Sequence, residues 1–293
     1  SAFRLRFVTV RVHMLSAKIA EHLAIDPELV RKILVGFIRD ELGKAGFRRA
    51  IIGLSGGIDS STSCFLAAEA LGPENVLALR MPYRTSSRDS LEDAQTVIEM
   101  LGVHSDTVDI TPMVDPLFAR FPDMDQRRRG NAMARMRMIV LYDRSEAWKG
   151  LVIGTGNKTE GLLGYTTLYG DSACAINPIG DLYKTQVRQL AAALGVPERI
   201  RLKPPTADLW AGQTDEGEMG FTYADVDQVL YLLFDARYSI EETAALSGFP
   251  RSFVEEVWRR VQRAQYKRLP PIIAKLSTRT IGIDFRYSRD WGL

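Results

Sequence analysis

Apolar positions along the chain alternate between two kinds of run. Short apolar runs mark strand candidates at residues 50–54, 76–81 and 151–154, and 104–109 is a further strand candidate. Between them, over 60–71, 90–101 and 127–149, apolar residues recur every third or fourth position, the period of a helix packing one face. Strands alternating with helices predict the α/β class, a Rossmann-like parallel sheet with crossover helices on both faces. A helix is also predicted over 28–44, with Val30, Ile33, Leu34, Phe37, Ile38 and Leu42 as its apolar stripe. That stripe is expected to pack against the sheet; a dimer contact is the alternative.

Beyond residue 156 the pattern changes. Residues 157–182 are rich in Gly, Thr and Asn and poorly periodic, the composition of a functional loop region. Helices are predicted over 183–194, stopped by Gly195, and then over 223–233, Ile240–Ser247 and 252–266, the last with Ser252 as its N-cap. With no internal repeat and no linker, the economical reading is one domain over 1–293. Its core sheet spans about 49–200 and a helical C-terminal portion about 221–285.

Each predicted strand ends in residues suited to a site. They are Ser55-Gly56-Gly57, Arg80-Met81-Pro82-Tyr83, Asp109 and Gly154-Thr155-Gly156-Asn157. Ligands of open α/β sheets lie beyond the carboxyl ends of the strands, so these four segments are expected to line one crevice. The first is the most telling. An apolar strand, a glycine pair and a helix start present free N–H groups and a positive dipole end to an anion. The turn lacks the Gly-Lys-Ser/Thr of a Walker A loop. Asp59 sits among the donors instead, where it would repel a polyphosphate. That arrangement calls for a bridging Mg2+, which takes oxygens from both sides. Glu160 either shares that ion, if the first and fourth strands are neighbours, or is an acid in a helix's first turn favoured by the dipole. Lys184 and the Pro-stiffened Thr206 are further candidates for phosphate contacts.

Composition narrows the chemistry. Of 293 residues, 46% are hydrophobic and 25% charged, and the formal charge is only +2, which argues neither for nor against nucleic acid. Two cysteines, Cys64 and Cys174, and three scattered histidines, His13, His22 and His104, write no disulfide framework or zinc knuckle. No apolar run approaches a membrane span, and the opening residues with Arg4, Arg6 and Arg11 carry no signal-peptide pattern. A cytoplasmic protein without membrane or nucleic-acid partners is expected.

The segment Ser55-Gly56-Gly57-Ile58-Asp59-Ser60 resembles the pyrophosphate loop of the N-type ATP pyrophosphatases. The later segments are 131–138 with Arg135, 154–160 ending in Glu160, 164–171 ending in Asp171, 177–184 ending in Lys184, 205–209 with Thr206, and 213–216. Their order and spacing are similar to those of the ammonia-dependent NAD synthetases over roughly residues 20–285. The resemblance implies an adenine nucleotide alpha-hydrolase-like fold and an amidation of deamido-NAD to NAD. An acyl-adenylate would be the intermediate, AMP and pyrophosphate would be released, and ATP would be co-substrate with Mg2+. It implies ATP contacts at Gly53, Leu54, Ser55, Gly56, Gly57, Ile58, Asp59, Ser60, Arg80, Thr155, Lys184 and Thr206. Asp59 and Glu160 would hold Mg2+ and act catalytically with Lys184, and Arg135, Asp171 and Lys267 would hold deamido-NAD. It also implies a homodimer.

Three positions depart from the family's common pattern: Leu168 where many members carry Lys, Ala175 where they often carry Asp, and Tyr266 in place of His before Lys267. A fused glutaminase would need a couple of hundred further residues and its own nucleophilic cysteine. Cys64 falls at an apolar helix position and Cys174 in the loop after Asp171 with no histidine nearby in sequence, so free ammonia is the expected donor, with a separate glutaminase partner as the alternative. The glycine-bounded acidic stretch 212–220 reads as either a solvated loop or a lid over the intermediate. Two other readings stand beside the first. One is another adenylating ligase acting on a different carboxylate or on tRNA; the other is a non-catalytic nucleotide sensor.

Overall fold

The computed structural model describes residues 21–280 except 207 and 211. The opening segment with Arg4, Arg6, Arg11 and His13, and the end of the helical portion expected to reach about 285, lie outside the described residues. Strands form where the short apolar runs lie: β1 Ala50–Gly53, β2 Val76–Arg80, β3 His104–Thr107 and β4 Leu151–Ile153. They pair in parallel in the order β3-β2-β1-β4, with Ala50 opposite both Val76 and Leu151. The chain steps outward from β1 to β3 and then returns to place β4 on the other side of β1. The switch point therefore falls between β1 and β4, where a ligand crevice is expected.

The first helices are α1 Pro27–Lys44, α2 Ile58–Leu71, α3 Arg88–Leu101, α4 Thr111–Arg120, α5 Gln126–Trp148 and α6 Lys158–Leu163. After them come α7 Lys184–Ala193, α8 Glu198–Leu202, α9 Asp215–Met219, α10 Tyr223–Leu230, α11 Ile240–Ser247, α12 Arg251–Arg263 and α13 Gln265–Arg268. Strand residues alternate between two cores, as a pleated sheet covered on both faces requires. Ile52, Ala78 and Ile153 pack with Val35, Ile38 and Leu42 of α1 and with α2, α3 and α7. Ile51, Leu77, Leu79 and Val152 pack with Val114 and Phe118 of α4 and Met133 and Val140 of α5. A third core joins Tyr223, Val226 and Leu230 of α10 to Val254, Val257 and Val261 of α12. It also takes in Leu163 and Tyr183, from the segments that carry the site.

Several local expectations are corrected. α4 was not anticipated because Pro112 and Pro116 obscure its period; it forms because one proline sits in the first turn and Ile110, Val114 and Phe118 share a buried face. Within the loop region 157–182 lies the short helix α6. The 252–266 helix starts at Arg251 with Pro250 as its N-cap residue, so Ser252 is not the cap. α10 stops at Leu230 and gives way to a π-helical turn over Tyr231–Asp235. α1 covers the sheet as expected yet keeps a second apolar face outward, with Leu29, Ile33 and Phe37 all exposed. No helix among the described residues is long and apolar enough to cross a membrane.

The turn after β1 depends on Gly56. Its φ is +80°, and a Cβ there would lie 2.1 Å from the backbone carbonyl oxygen of Ser90, so α3 packs directly on the glycine. Gly46 has a similar φ of +78° with nothing within 4 Å of a Cβ. Gly46→Ala is expected to cost about 1 kcal/mol, the ordinary price of the left-handed region, and Gly56→Ala at least about 2 kcal/mol more, in urea unfolding. Equal shifts in the two variants would show that the contact with Ser90 carries no weight.

Candidate active site

β1 delivers the chain to Ser55, and α2 begins at Ile58 with Gly57 as its N-cap residue and no side-chain cap. The first-turn N–H groups are therefore left for a ligand. Ser55 and Ser60 close the turn: their hydroxyls lie 3.0 Å apart, the Ser60 hydroxyl donates to Gly57 O at 3.1 Å, and Ser55 Oγ accepts from Gly57 N at 3.3 Å. Asp59, in the first turn of α2, faces β4 across the switch point.

From the β4 side comes α6. Asn157 is its N-cap and Glu160 its N3 residue, and the two make a capping box: Glu160 N donates to Asn157 Oδ1 at 3.0 Å and Asn157 N to Glu160 Oε2 at 3.3 Å. Glu160 is thus a first-turn helix acid, as one reading of the sequence has it, and it also lines the crevice. The Asn157 amide donates to Asp59 Oδ1 at 2.9 Å, so one residue caps a helix and contacts both carboxylates, Asp59 through its side chain and Glu160 through its backbone N–H.

Lys184 opens α7 and is only 2% exposed. Its ammonium reaches Asp59 Oδ2 at 2.5 Å and Glu160 Oε1 at 3.1 Å, and lies 4.9 Å from the centre of the Tyr223 ring. Burial works against this charge, but Asp59 and Glu160 outweigh it and raise the Lys184 pKa above its ordinary value. Burial lifts the Glu160 carboxyl to about 7; Lys184 opposes that shift and Asp59 adds to it. The neighbouring Asp215 is also raised by burial.

These groups border one cavity of about 860 Å³. It is lined by Gly53, Leu54, Ser55, Gly57, Ile58, Asp59, Ser60, Arg80, Thr155, Glu160, Lys184 and Thr206, together with Arg135, Asp171 and Lys267. Of the residues expected to contact ATP, Gly56 alone is absent from the wall, being buried beneath Ser90. Arg80 hydrogen-bonds Gln95 Oε1 at 2.6 Å. Thr206 Oγ1 accepts from Asp208 N at 3.0 Å, and Asp208 Oδ2 accepts from Ser87 N at 2.8 Å, which ties the Thr206 turn to the segment after β2. Lys267 donates to Gly164 O and Thr166 O, Arg135 to Leu168 O, and Thr167 N to Asp171 Oδ1.

Two expectations for the crevice are corrected. Asp109, two residues beyond edge strand β3, is exposed and accepts from Thr111 N at 2.8 Å at the start of α4. Tyr83 turns away to Asp115, at 2.9 Å. Of the cysteines, Cys174 is half-buried, and Cys64 lies in the core as expected, where burial pushes its thiol up to about 12.

The structure adds residues that the sequence reading did not single out. Asp227 of α10 is fully buried and accepts from Thr159 Oγ1 at 2.6 Å and from Thr185 N and Oγ1, both at 2.8 Å. Thr159 Oγ1 in turn accepts from Lys184 N at 2.9 Å. One carboxylate therefore locks the starts of α6 and α7, beside Glu160 and Lys184. An acid within an apolar helix face, between Val226 and Leu230, was the signal for it. Arg137 also lines the cavity and donates to Met81 O at 3.0 Å; burial lowers its pKa. The 212–220 segment carries α9, capped by Thr214 and Gly220. Asp215 of α9 accepts from the hydroxyls of Tyr165 and Tyr223 at 3.2 and 3.1 Å.

Comparison with known proteins agrees with this geometry. Residues 30–271 match the profile of the NAD synthase family. The chain is 58% identical over 270 residues to the NH(3)-dependent NAD(+) synthetase of Trichlorobacter lovleyi, covering 92% of this chain and 98% of that one. It is 54% identical to the protein of that name from Chlorobaculum parvum, over the same shares. Among solved structures, NMN synthetase from Francisella tularensis superposes with a TM-score of 0.76 at 32% identity, covering 86% and 99% of the two chains. The NH3-dependent NAD synthetase from Campylobacter jejuni does so with a TM-score of 0.73 at 33% identity, covering 86% and 100%. A parallel sheet with an uncapped glycine turn at its switch point, and a match over most of the chain, place this protein in the NAD synthase family.

Proposed function

We propose that the chain makes NAD from deamido-NAD, with ATP as co-substrate and free ammonia as nitrogen donor. The observation that carries this reading is the meeting of Asp59, Glu160 and Lys184 at the open N-terminus of α2, within a family whose named relatives perform that synthesis. A carboxylate is a poor acyl electrophile until its oxygen becomes part of a leaving group. Its oxygen attacks the α-phosphorus of ATP and the bond to pyrophosphate breaks. Ammonia then adds to the acyl carbon, loses a proton and expels AMP. No side-chain nucleophile is needed; the protein contributes positioning and electrostatics.

The N–H groups of the Ser55–Gly57 turn and the Ser60 hydroxyl receive the departing pyrophosphate, and Lys184 supplies a fixed positive charge to its oxygens. Thr155 and Arg80 border the adenosine side, and Arg135, Asp171 and Lys267 the dinucleotide. Asp59 and Glu160 fit Mg2+. Among the described residues no group of three or more His, Cys, Asp or Glu forms a cage, and Mg2+ is commonly held by one or two carboxylates with phosphate oxygens and water completing its shell. Such an ion would neutralise charge on the leaving pyrophosphate. α9, tethered by Tyr165 and Tyr223, forms a lid that keeps water from the acyl-adenylate. A homodimer belongs to this reading, and the outward face Leu29, Ile33 and Phe37 of α1 supports it.

Incubation with ATP, Mg2+, deamido-NAD and ammonium is expected to give NAD, AMP and pyrophosphate in equal amounts. Asp59→Asn and Glu160→Gln should each lower turnover at least about a hundredfold with the circular dichroism spectrum unchanged. Pyrophosphate released with another acid but not with deamido-NAD would redirect the reading to a different ligase, and ATP binding without release would redirect it to a sensor.

The raised Glu160 fixes a pH signature. A carboxyl that holds its proton more tightly folded than unfolded favours the folded state at low pH. The ligand-free protein therefore loses that contribution as pH climbs from the ordinary value of 4.5 to about 7. Glu160→Gln removes the titration, so the drop in Tm between about pH 5 and about pH 7.5 should be smaller in the variant. An identical drop in both proteins would mean that Glu160 does not titrate there. For the dimer, Ile33→Arg should convert the sedimenting species to monomer; a parent that sediments as a monomer would end that proposal.

A further inference from the structure

Three arginines open α5, where the exposed amide ends of the helix disfavour a cation. Two have local partners. Arg128 pairs with Asp123 at 3.0 Å, and Arg129 donates to Met124 O at 3.1 Å and lies 5.0 Å over the Phe118 ring. Arg127 is exposed and has no hydrogen bond or ion pair among the described residues, yet it lines the cavity. Two more cations share that wall. Arg135 stands about two turns further along α5, and Lys267 reaches over from α13 to hold two carbonyl oxygens of the 164–166 turn. They are close enough to act on one another. Burial lowers the Lys267 ammonium and the charges of Arg127 and Arg135 lower it further, with Asp171 opposing.

Like charges gathered in a cleft, one of them in a position the helix dipole disfavours, reduce stability unless a ligand neutralises them. The nucleotide phosphates have their own receiver in the α2 turn and Lys184, and Lys184 is already balanced by two carboxylates. The cationic wall is a separate charge, and the acid substrate of the proposed reaction carries a second polyanion, the diphosphate joining its two nucleosides. We propose that Arg127, with Arg135 and Lys267, clamps that diphosphate and makes the chain select the dinucleotide acid over the corresponding mononucleotide acid, which has a single phosphate. The inference rests on the reaction proposed above. The choice is a real one within this fold, since the Francisella tularensis relative is named an NMN synthetase.

The test compares the parent, Arg127→Ala and Arg127→Lys in amidation of deamido-NAD and of nicotinate mononucleotide. Arg127→Ala is expected to raise KM for deamido-NAD about tenfold, with kcat and the ATP KM within about twofold and the mononucleotide kcat/KM unchanged. Arg127→Lys should recover part of the loss, and the rise of KM with salt should be shallower in Arg127→Ala than in the parent. The alanine variant should melt no lower than the parent, because it removes a first-turn cation. A calorimetric arm separates this inference from the reaction itself. With a non-hydrolysable ATP analogue and Mg2+ occupying the nucleotide site, ADP-ribose, which carries the diphosphate without the acid, should bind the parent about tenfold more tightly than Arg127→Ala. If the parent ignores deamido-NAD but ADP-ribose shows this difference, the reaction is wrong and the clamp stands. Equal ADP-ribose affinity in parent and variant, or equal losses for both acids, overturns the clamp.

Discussion

The site is organised around one buried ammonium. Taking the Lys184 charge out of water costs several kcal/mol, and the structure offsets that cost with two carboxylates from opposite sides of the sheet's switch point and with the face of Tyr223. Because the pairing is nearly dry, it constrains three backbones together: the first turn of α2, the first turn of α6 and the first residue of α7. The balance of the cluster is negative, since two carboxylates meet one ammonium and Asp215 stands nearby. A cluster of that sign repels a bare polyphosphate and accepts one that arrives with a divalent cation. On the proposed reading, Lys184 exchanges carboxylate oxygens for phosphate oxygens as the nucleotide enters, with no need for its charge to be solvated in between.

The helical C-terminal portion takes part in that constraint. Asp227 reaches from α10 to the starts of both α6 and α7, and Tyr223, one turn earlier, packs against the ammonium. The third hydrophobic core joins α10 and α12 to Leu163 and Tyr183, so apolar packing presses the same two segments against the sheet that the polar contacts align. Glu160 and Lys184 therefore depend on helices remote in sequence, and loosening α10 would misplace the two together.

Much of this was legible in the sequence because strong local periods and a glycine turn write themselves plainly. Strands β1, β2 and β4, helices α2, α3 and α5, and the residues of the turn follow from hydrophobic spacing and from the order of strand, glycines, acid and hydroxyls. What was not legible has physical reasons. α4 hides behind two prolines that its first turn and a buried face tolerate. α6 is too short for a periodic signal and is held by the Asn157–Glu160 capping box, a pattern present in the sequence but submerged in a polar loop. Asp109 follows a strand as the other site residues do, but β3 is the edge strand, and β2 separates it from β1 and the switch point. Asp227 pairs with residues 42 and 68 positions away, a distance that no local pattern encodes.

Charge is distributed unevenly along the cavity, and the unevenness fits a reaction that activates a substrate rather than a side chain. On the proposed reading, open amides and a lysine held between two carboxylates at the α2 end receive a group whose charge grows as it leaves. Along the α5 and α13 wall, the charges of Arg127 and Arg135 bear on Lys267, with Asp171 opposing them. Two polyanions entering one cavity would repel each other strongly in a low dielectric unless each met its own compensating charge. On the proposed reading, separate receivers let the two approach until the carboxylate of one faces the phosphorus of the other. Proximity of that kind accounts for a large share of a rate enhancement where no covalent bond to the protein is made.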